Sequence, residues 1–182
     1  MRNLIIGAVA AAALLGTPAA AGAATADPPP PWMPVTDPTH SGSNVPNSPN
    51  TLPSGHFCPL FAVDVAVVTN NEFMQVTTLA DKDTVTKIRG NLVLSFKNDT
   101  SGKTIVENVS GPTTETDSPD GSSGTFQGEG PNWFAFGPKG RANTGEPALV
   151  FTKGRVTTSF ADGATQTFSL NGTQENGCAL LS

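Results

Sequence analysis

Two carboxylates, Asp64 and Glu107, are the residues whose type and setting could do acid–base chemistry. Asp64 interrupts a run of valine and alanine, and Glu107 has the same parity as Ile105 and Val109 on a predicted strand. If both side chains point inward, burial raises their pKa values, and the pair could act as general acid and base in a small lyase or cyclase. The alternative is a solvated strand end or outer face, because inward parity is lost wherever a strand slips by one residue. We therefore assign no catalytic residue and keep these two as candidates.

The two cysteines, Cys58 and Cys178, could instead do nucleophilic, metal or redox chemistry. A nucleophile or a metal ligand needs partners such as histidine, and both histidines, His40 and His56, precede the region predicted to fold. In an exported protein, two thiols at opposite ends of one domain usually pair. We therefore predict a disulfide between Cys58 and Cys178, no metal site and no cofactor.

The charge balance limits the classes of partner. The chain carries 10 Lys and Arg against 15 Asp and Glu, a formal net charge of −5. Nucleic acids and anionic membranes are bound by clustered basic residues, and the sequence shows no basic stripe. We predict that the protein binds no nucleic acid. The partner classes left open are a small apolar ligand and a cell-surface molecule, and the sequence identifies neither.

The first 56 residues carry export and spacer signals. Residues 1–26 have the pattern of a signal peptide, with Arg2, an alanine-rich apolar run and small residues at the cleavage site. The run is shorter than the roughly 20 residues that span a bilayer, so we expect a secreted, extracellular protein with no membrane insertion after cleavage. Residues 27–56 contain prolines at short intervals, which predicts a disordered spacer. Trp32 beside four prolines could anchor a docking peptide, and an inert tail is the alternative.

Residues 57–182 alternate apolar and polar side chains with a period of two, which indicates β-strands. Turn sequences between the segments predict antiparallel neighbours, and hence an all-β meander of about eight or nine strands. Asn70-Asn71 is predicted to end the first strand, and no segment shows a helical period. Long segments with internal glycines, Gly90 and Gly154, favour a small β-barrel over a β-sandwich.

The apolar residues assigned to the barrel interior predict a ligand site. They are Leu92, Leu94, Phe126, Phe134, Phe136 and Val150. An interior filled by its own side chains is the alternative, and it is usual in small barrels. Trp133 falls on the opposite face from Phe134 and Phe136, and it is the aromatic residue predicted to make an exposed contact.

Four short motifs lie in predicted strand and turn positions: GNLVLSFKN at 90–98, NVSGP at 108–112, GRV at 154–156 and CAL at 178–180. Together they resemble a group of small secreted actinobacterial proteins of unknown function. The resemblance covers Cys58 to the carboxyl end. It implies a bacterial source and an all-β domain, and it carries no catalytic residue across.

The sequence therefore predicts a secreted, non-enzymatic β-domain that acts by binding, with a small apolar ligand in the barrel interior. One alternative is a small barrel lyase or cyclase, which requires converging carboxylates in a polar cleft. The other alternative is a surface interaction protein without a pocket, which requires a flat exposed patch.

Overall fold

The computed structural model describes residues 29–36 and 51–182, which form one nine-stranded antiparallel sheet and two short helices. The predicted signal peptide and residues 27–28 and 37–50 of the predicted spacer lie outside the described residues. The elements are β1 (Met33–Pro34), β2 (Thr51–Leu52), β3 (Val63–Thr78), β4 (Thr84–Asn98), β5 (Thr104–Asn108), β6 (Thr113–Asp117), β7 (Ser123–Ala135), α1 (Pro138–Thr144), β8 (Leu149–Ala161), β9 (Ala164–Asn176) and α2 (Gly177–Leu181).

The strands pair in the order β1-β3-β4-β6-β7-β8-β9, with β2 added to β3 and β5 added to β4. The predicted all-β meander is confirmed. β5 and β6 lie end to end along one edge of β4, because β5 pairs with residues 93–97 and β6 pairs with residues 84–88. Among the described strands no ladder joins β9 back to β3, so the sheet is open and a closed barrel stays a prediction.

Strand β3 runs through Asn70-Asn71, where the sequence predicted a break. Its pairing with β4 shifts by one residue between Val67 and Thr69, which is a β-bulge. Asn70 acts within the sheet edge rather than in a turn. Its Oδ1 accepts the backbone N–H of Glu72 at 3.0 Å, and its Nδ2 donates to the carbonyl of Val35 at 2.7 Å.

Part of the proline-rich segment that was predicted as a disordered spacer, 27–56, pairs with the sheet within its described part. β1 pairs with the second half of β3, and β2 pairs with its first two residues. Proline has no N–H to donate, so few groups hold the segment: Gln75 Nε2 donates to the carbonyl of Pro30 at 2.6 Å, and the N–H of Val35 donates to the carbonyl of Glu72 at 3.0 Å. Trp32 lies against Arg89 of the same chain, whose Cζ is 3.9 Å from the ring centroid.

Two short helices occur where the sequence predicted none. α1 begins at Pro138, whose fixed φ suits the first helical position, and it ends at Thr144, where Gly145 with φ 76° forms the C-cap. α2 follows β9 directly, and Asn176 caps it by accepting the N–H of Ala179 at 3.2 Å. Helices of 7 and 5 residues are too short for an apolar period to show in the sequence.

Two clusters of buried side chains lie on opposite faces of the β7–β8 ladder, because Trp133 pairs with Phe151 while the next residues, Phe134 and Val150, point the other way. The first core cluster centres on Phe96, whose ring meets Trp133 and Phe151 edge to face. The second core cluster consists of Phe126, Phe134, Phe136, Val150 and Val156, with Phe168 and Leu170 packed against it.

The predicted disulfide between Cys58 and Cys178 is confirmed, with the two Cα atoms 5.5 Å apart. Both residues pack with the first core cluster. The bond ties the segment before β3 to α2, across a sequence separation of 120 residues.

Three glycines stand in register across the last three strands: Gly130 of β7 pairs with Gly154 of β8, which pairs with Gly172 of β9. Gly154 has φ 135°, a backbone conformation that side chains rarely allow. A Cβ at Gly154 would lie 2.8 Å from the Cα of Gly172. The glycines therefore permit a close approach of β8 and β9 that any side chain would prevent.

Candidate functional site

The six residues predicted to line a ligand cavity pack as core instead. Leu92 and Leu94 belong to the first core cluster, and the four others, Phe126, Phe134, Phe136 and Val150, belong to the second. None is more than 5% exposed. The cavity that three of them share measures about 20 Å³, far below the roughly 300 Å³ at which small-molecule sites begin. The side chains of the protein thus fill this part of the interior.

Two polar side chains, Glu72 and Asn132, line that small cavity together with apolar and aromatic groups. Each residue is only 5% exposed. Glu72 Oε2 and Asn132 Nδ2 are both buried and have no hydrogen-bond partner in the protein. Burial raises the pKa of Glu72 to about 7, because the charged carboxylate loses its hydration.

The bulge in β3 explains why Glu72 points inward. Before the bulge, odd-numbered residues such as Val63 and Val65 are buried. After it the pairing moves by one residue, so Glu72 takes the inward place opposite Gly90. Asn132 has room because a neighbour lacks a side chain: a Cβ at Gly128 would lie 3.0 Å from its Nδ2. The sequence prediction missed Glu72 because it ended the strand two residues earlier.

Asp64 and Glu107, the candidate carboxylates, lie on opposite faces of the sheet. Asp64 pairs with exposed Lys97 and accepts the hydroxyl of Thr51 at 2.8 Å, so it holds β2 in place. Glu107 pairs with buried Leu94 and therefore faces inward. The structure does not bring the two together, and the hypothesis of an inward pair is wrong.

Glu107 instead lines a narrow cleft of about 50 Å³ together with Lys153 and Glu175. The cleft has room for water but not for a substrate. Its lining carries charges of both signs, which is the ordinary arrangement of polar side chains at a sheet margin.

A second acidic pair, Glu115 and Asp117, lies on β6. Glu115 pairs with buried Phe126 and so faces the same side of the sheet as the second core cluster. Burial, and next the charge of Asp117, raise the pKa of Glu115 to about 7; burial also raises the pKa of Asp117. Both groups are half-buried and belong to the sheet rather than to a cleft.

Trp133 is not an exposed contact residue, which corrects the prediction. It is 8% exposed, and its ring centroid lies 5.4 Å from that of Phe96. The predicted parity was right, but the face opposite Phe134 is covered by the first core cluster rather than by solvent.

A surface groove of about 440 Å³ lies between α1, the β8–β9 turn and the segment that precedes Cys58. We call it the α1 groove. Its volume lies within the range of small-molecule sites. Its lining residues are His56, Phe57, Ala135, Gly137, Pro138, Lys139, Gly140, Gly163, Ala164 and Thr165.

Contacts between distant segments shape the α1 groove. Arg141 of α1 donates from Nη1 to the carbonyl of Phe57 at 3.2 Å, which fixes α1 against the segment before Cys58. His56 meets the ring of Phe57 edge to face at 4.8 Å. Gly137 makes room for the imidazole, because a Cβ there would lie 2.8 Å from His56 Nε2. His56, placed outside the fold by the sequence prediction, therefore forms one wall.

The chemistry of the α1 groove combines apolar surface with positive charge. Phe57, Ala135, Pro138 and Ala164 supply apolar carbon, while Lys139 supplies a cation. The lining contains no carboxylate. Such a groove can hold the apolar body of a small molecule and pair with an anionic group at one end.

Other site types find no support within residues 29–36 and 51–182. No group of three or more His, Cys, Asp or Glu side chains there could hold a metal ion. In the same ranges no helix is long and apolar enough to cross a membrane. Comparisons with protein-family models, curated proteins and solved structures gave no match.

Proposed function

We propose that the protein is a secreted binding protein, and that the α1 groove binds a small ligand with an apolar body and an anionic group. The observation that carries the proposal is the lining of the groove. Lys139 is its charged residue, and apolar side chains surround it, in a chain whose net charge is −5. A negatively charged protein that keeps one concave surface free of carboxylates favours an anion there.

Because the interior is packed, we place the expected ligand site on the surface. The residues predicted to line an internal site leave a cavity of only about 20 Å³. The α1 groove is about twenty times larger by the same measure, and it opens to solvent, so a ligand can enter without unfolding the sheet. The proposed ligand is therefore still apolar in its main part, as the sequence predicted, and it also carries a charged group.

Secretion belongs to the proposal as well. It is supported by the signal-peptide pattern of residues 1–26 and by the disulfide, since disulfides form and persist in oxidising compartments. The resemblance to secreted actinobacterial proteins agrees with it. The lyase or cyclase alternative loses its main support, because Asp64 and Glu107 lie on opposite faces.

A paired-ligand titration tests the proposal. Decanoate and decanol share an alkyl chain and differ in charge, so decanoate should bind the ¹⁵N-labelled protein more tightly and shift the amide signals of Gly137 and Gly163. Lys139→Gln should weaken decanoate binding about two- to fivefold, as expected for one exposed charge pair. Lys153→Gln, on another part of the surface, is the matched control and should change nothing.

Two results would count against this function. Equal binding of decanoate and decanol would remove the anionic group from the ligand class. Shifts confined to residues outside the α1 groove, or none at millimolar ligand, would remove the site itself. Native mass spectrometry of the purified protein gives an unbiased check, because a ligand of this class should co-purify as a small added mass.

A further inference from the structure

We propose that the cavity between Glu72 and Asn132 is a built site for one water molecule, which bridges the carboxyl of Glu72 and the amide of Asn132. The site lies apart from the α1 groove and does not depend on the proposed function. It is formed by β3, β4, β6, β7 and the β5–β6 connection, deep between the two core clusters.

The hydrogen-bonding groups and the space match one water. Glu72 Oε2 and Asn132 Nδ2 are unpartnered, and both residues are 95% buried or more. A buried polar atom without a partner costs on the order of 1–3 kcal/mol, so two such atoms at one cavity favour a shared partner. The cavity volume of about 20 Å³ exceeds the roughly 10–15 Å³ that one water needs. A water can accept from the amide Nδ2 and donate to the carboxyl oxygen.

The surroundings of Glu72 favour its neutral form. The other residues that line the cavity are apolar, aromatic, glycine or threonine, so no cation faces the carboxyl there. On β4, Lys87 and Arg89 pair with Gln75 and Phe73 and so take the opposite face. The described residues of the β1 segment, 29–36, carry no charge.

The remaining charged residues near the cavity do not supply a positive charge for Glu72 either. On β7, Gly128 lies on the same face as Asn132, whereas Glu129 lies on the opposite face. Glu129 forms an exposed ion pair there with Arg155. On β6, Glu115 shares the inner face but is itself acidic and adds no positive charge. An ionised Glu72 would therefore be an unpaired buried anion, which proteins avoid by holding the proton.

Because Glu72 keeps its proton in the folded protein, the free energy of unfolding should depend on pH. The pKa of Glu72 is raised from its ordinary 4.5 to about 7 in the folded protein. Between these two values the folded chain binds the proton and the unfolded chain has released it, so stability is complete below pH 4.5 and is lost as the pH rises to 7. The unfolding equilibrium constant should grow roughly 100-fold between pH 4.5 and pH 8 from Glu72 alone, because both protonation equilibria are only partly complete at the ends of that range.

Glu72→Gln is the decisive variant, because a carboxamide keeps the shape and hydrogen-bonding capacity of the protonated acid. Urea unfolding at several pH values from 4.5 to 8 should show that Glu72→Gln removes the roughly 100-fold change that this residue causes. Glu115→Gln is the control. It should remove only the separate contribution of Glu115, so the Glu72 share persists.

Two measurements on the unaltered protein keep the proposal testable even if Glu72→Gln fails to fold. The ¹³C signal of the Glu72 carboxyl should titrate near pH 7, and a crystal structure grown near pH 5.5 should show one water within hydrogen-bond distance of both side chains. A carboxyl that titrates below pH 5, a direct Glu72–Asn132 hydrogen bond without water, or an unchanged pH profile in Glu72→Gln would overturn it.

Discussion

Removal of the disulfide between Cys58 and Cys178 is the perturbation whose cost follows most directly from the structure. The bond closes a loop across a sequence separation of 120 residues. In the chain-entropy model, a loop of that length restricts the unfolded chain enough to stabilise the folded state by about 5 kcal/mol at 25 °C. Typical domains are stable by only about 5–15 kcal/mol in total, so the reduced protein should be marginal or unfolded.

Urea unfolding, followed by tryptophan fluorescence, measures this cost. The double variant Cys58→Ala/Cys178→Ala should lose about 5 kcal/mol relative to the oxidised protein. Each single variant should lose nearly as much as the double, because either substitution breaks the same bond. Reduction of the unaltered protein with a phosphine should reproduce the loss without any change in sequence. A loss below about 2 kcal/mol would refute the loop-entropy reasoning and would mean that the unfolded chain already keeps its two ends together.

Three further substitutions test separate parts of the fold. Gly154→Ala should destabilise by at least about 2 kcal/mol, because its φ of 135° and the nearby β9 backbone both oppose a side chain, whereas Gly121→Ala, with no atom near its Cβ, should cost less. Trp133→Ala should cost about 3–5 kcal/mol if the ring is core, and a cost below 1 kcal/mol would restore its predicted surface role. Trp32→Ala should speed amide hydrogen exchange in the β1 segment without unfolding the sheet, since it removes the contact with Arg89.

The strand pattern of the sequence was sufficient to predict the meander. Alternation is clearest in the second half of β4, where buried residues alternate with less buried ones, whereas residues 149–152 of β8 are buried on both faces and were recognised as strand from their length and apolar, β-branched residues. β6, Thr113–Asp117, escaped prediction because all five of its residues are half-buried and threonine or acidic, so neither face stands out. The bulge at Val67 and Thr69 was not predictable from alternation, since it reverses the parity that alternation depends on.

The candidate sites were less predictable because they depend on contacts between distant segments. Glu72 is inward only as a result of the bulge, and its partner Asn132 is 60 residues away in β7. The α1 groove joins His56, α1 and the β8–β9 turn, and no local pattern links these three segments. The prolines around Trp32 correctly indicated a backbone poor in donors, but not that carbonyl groups could hold the segment on β3.

Because Cys178 follows the last strand, it also determines when the disulfide can form during synthesis. During synthesis the ribosome completes every strand from β3 to β9 before it reaches this residue. Covalent closure therefore waits for the whole sheet to exist, and a chain that stops short of α2 retains Cys58 as a reactive thiol. A maleimide dye applied to denatured, non-reduced material should accordingly label incomplete copies and leave finished ones dark.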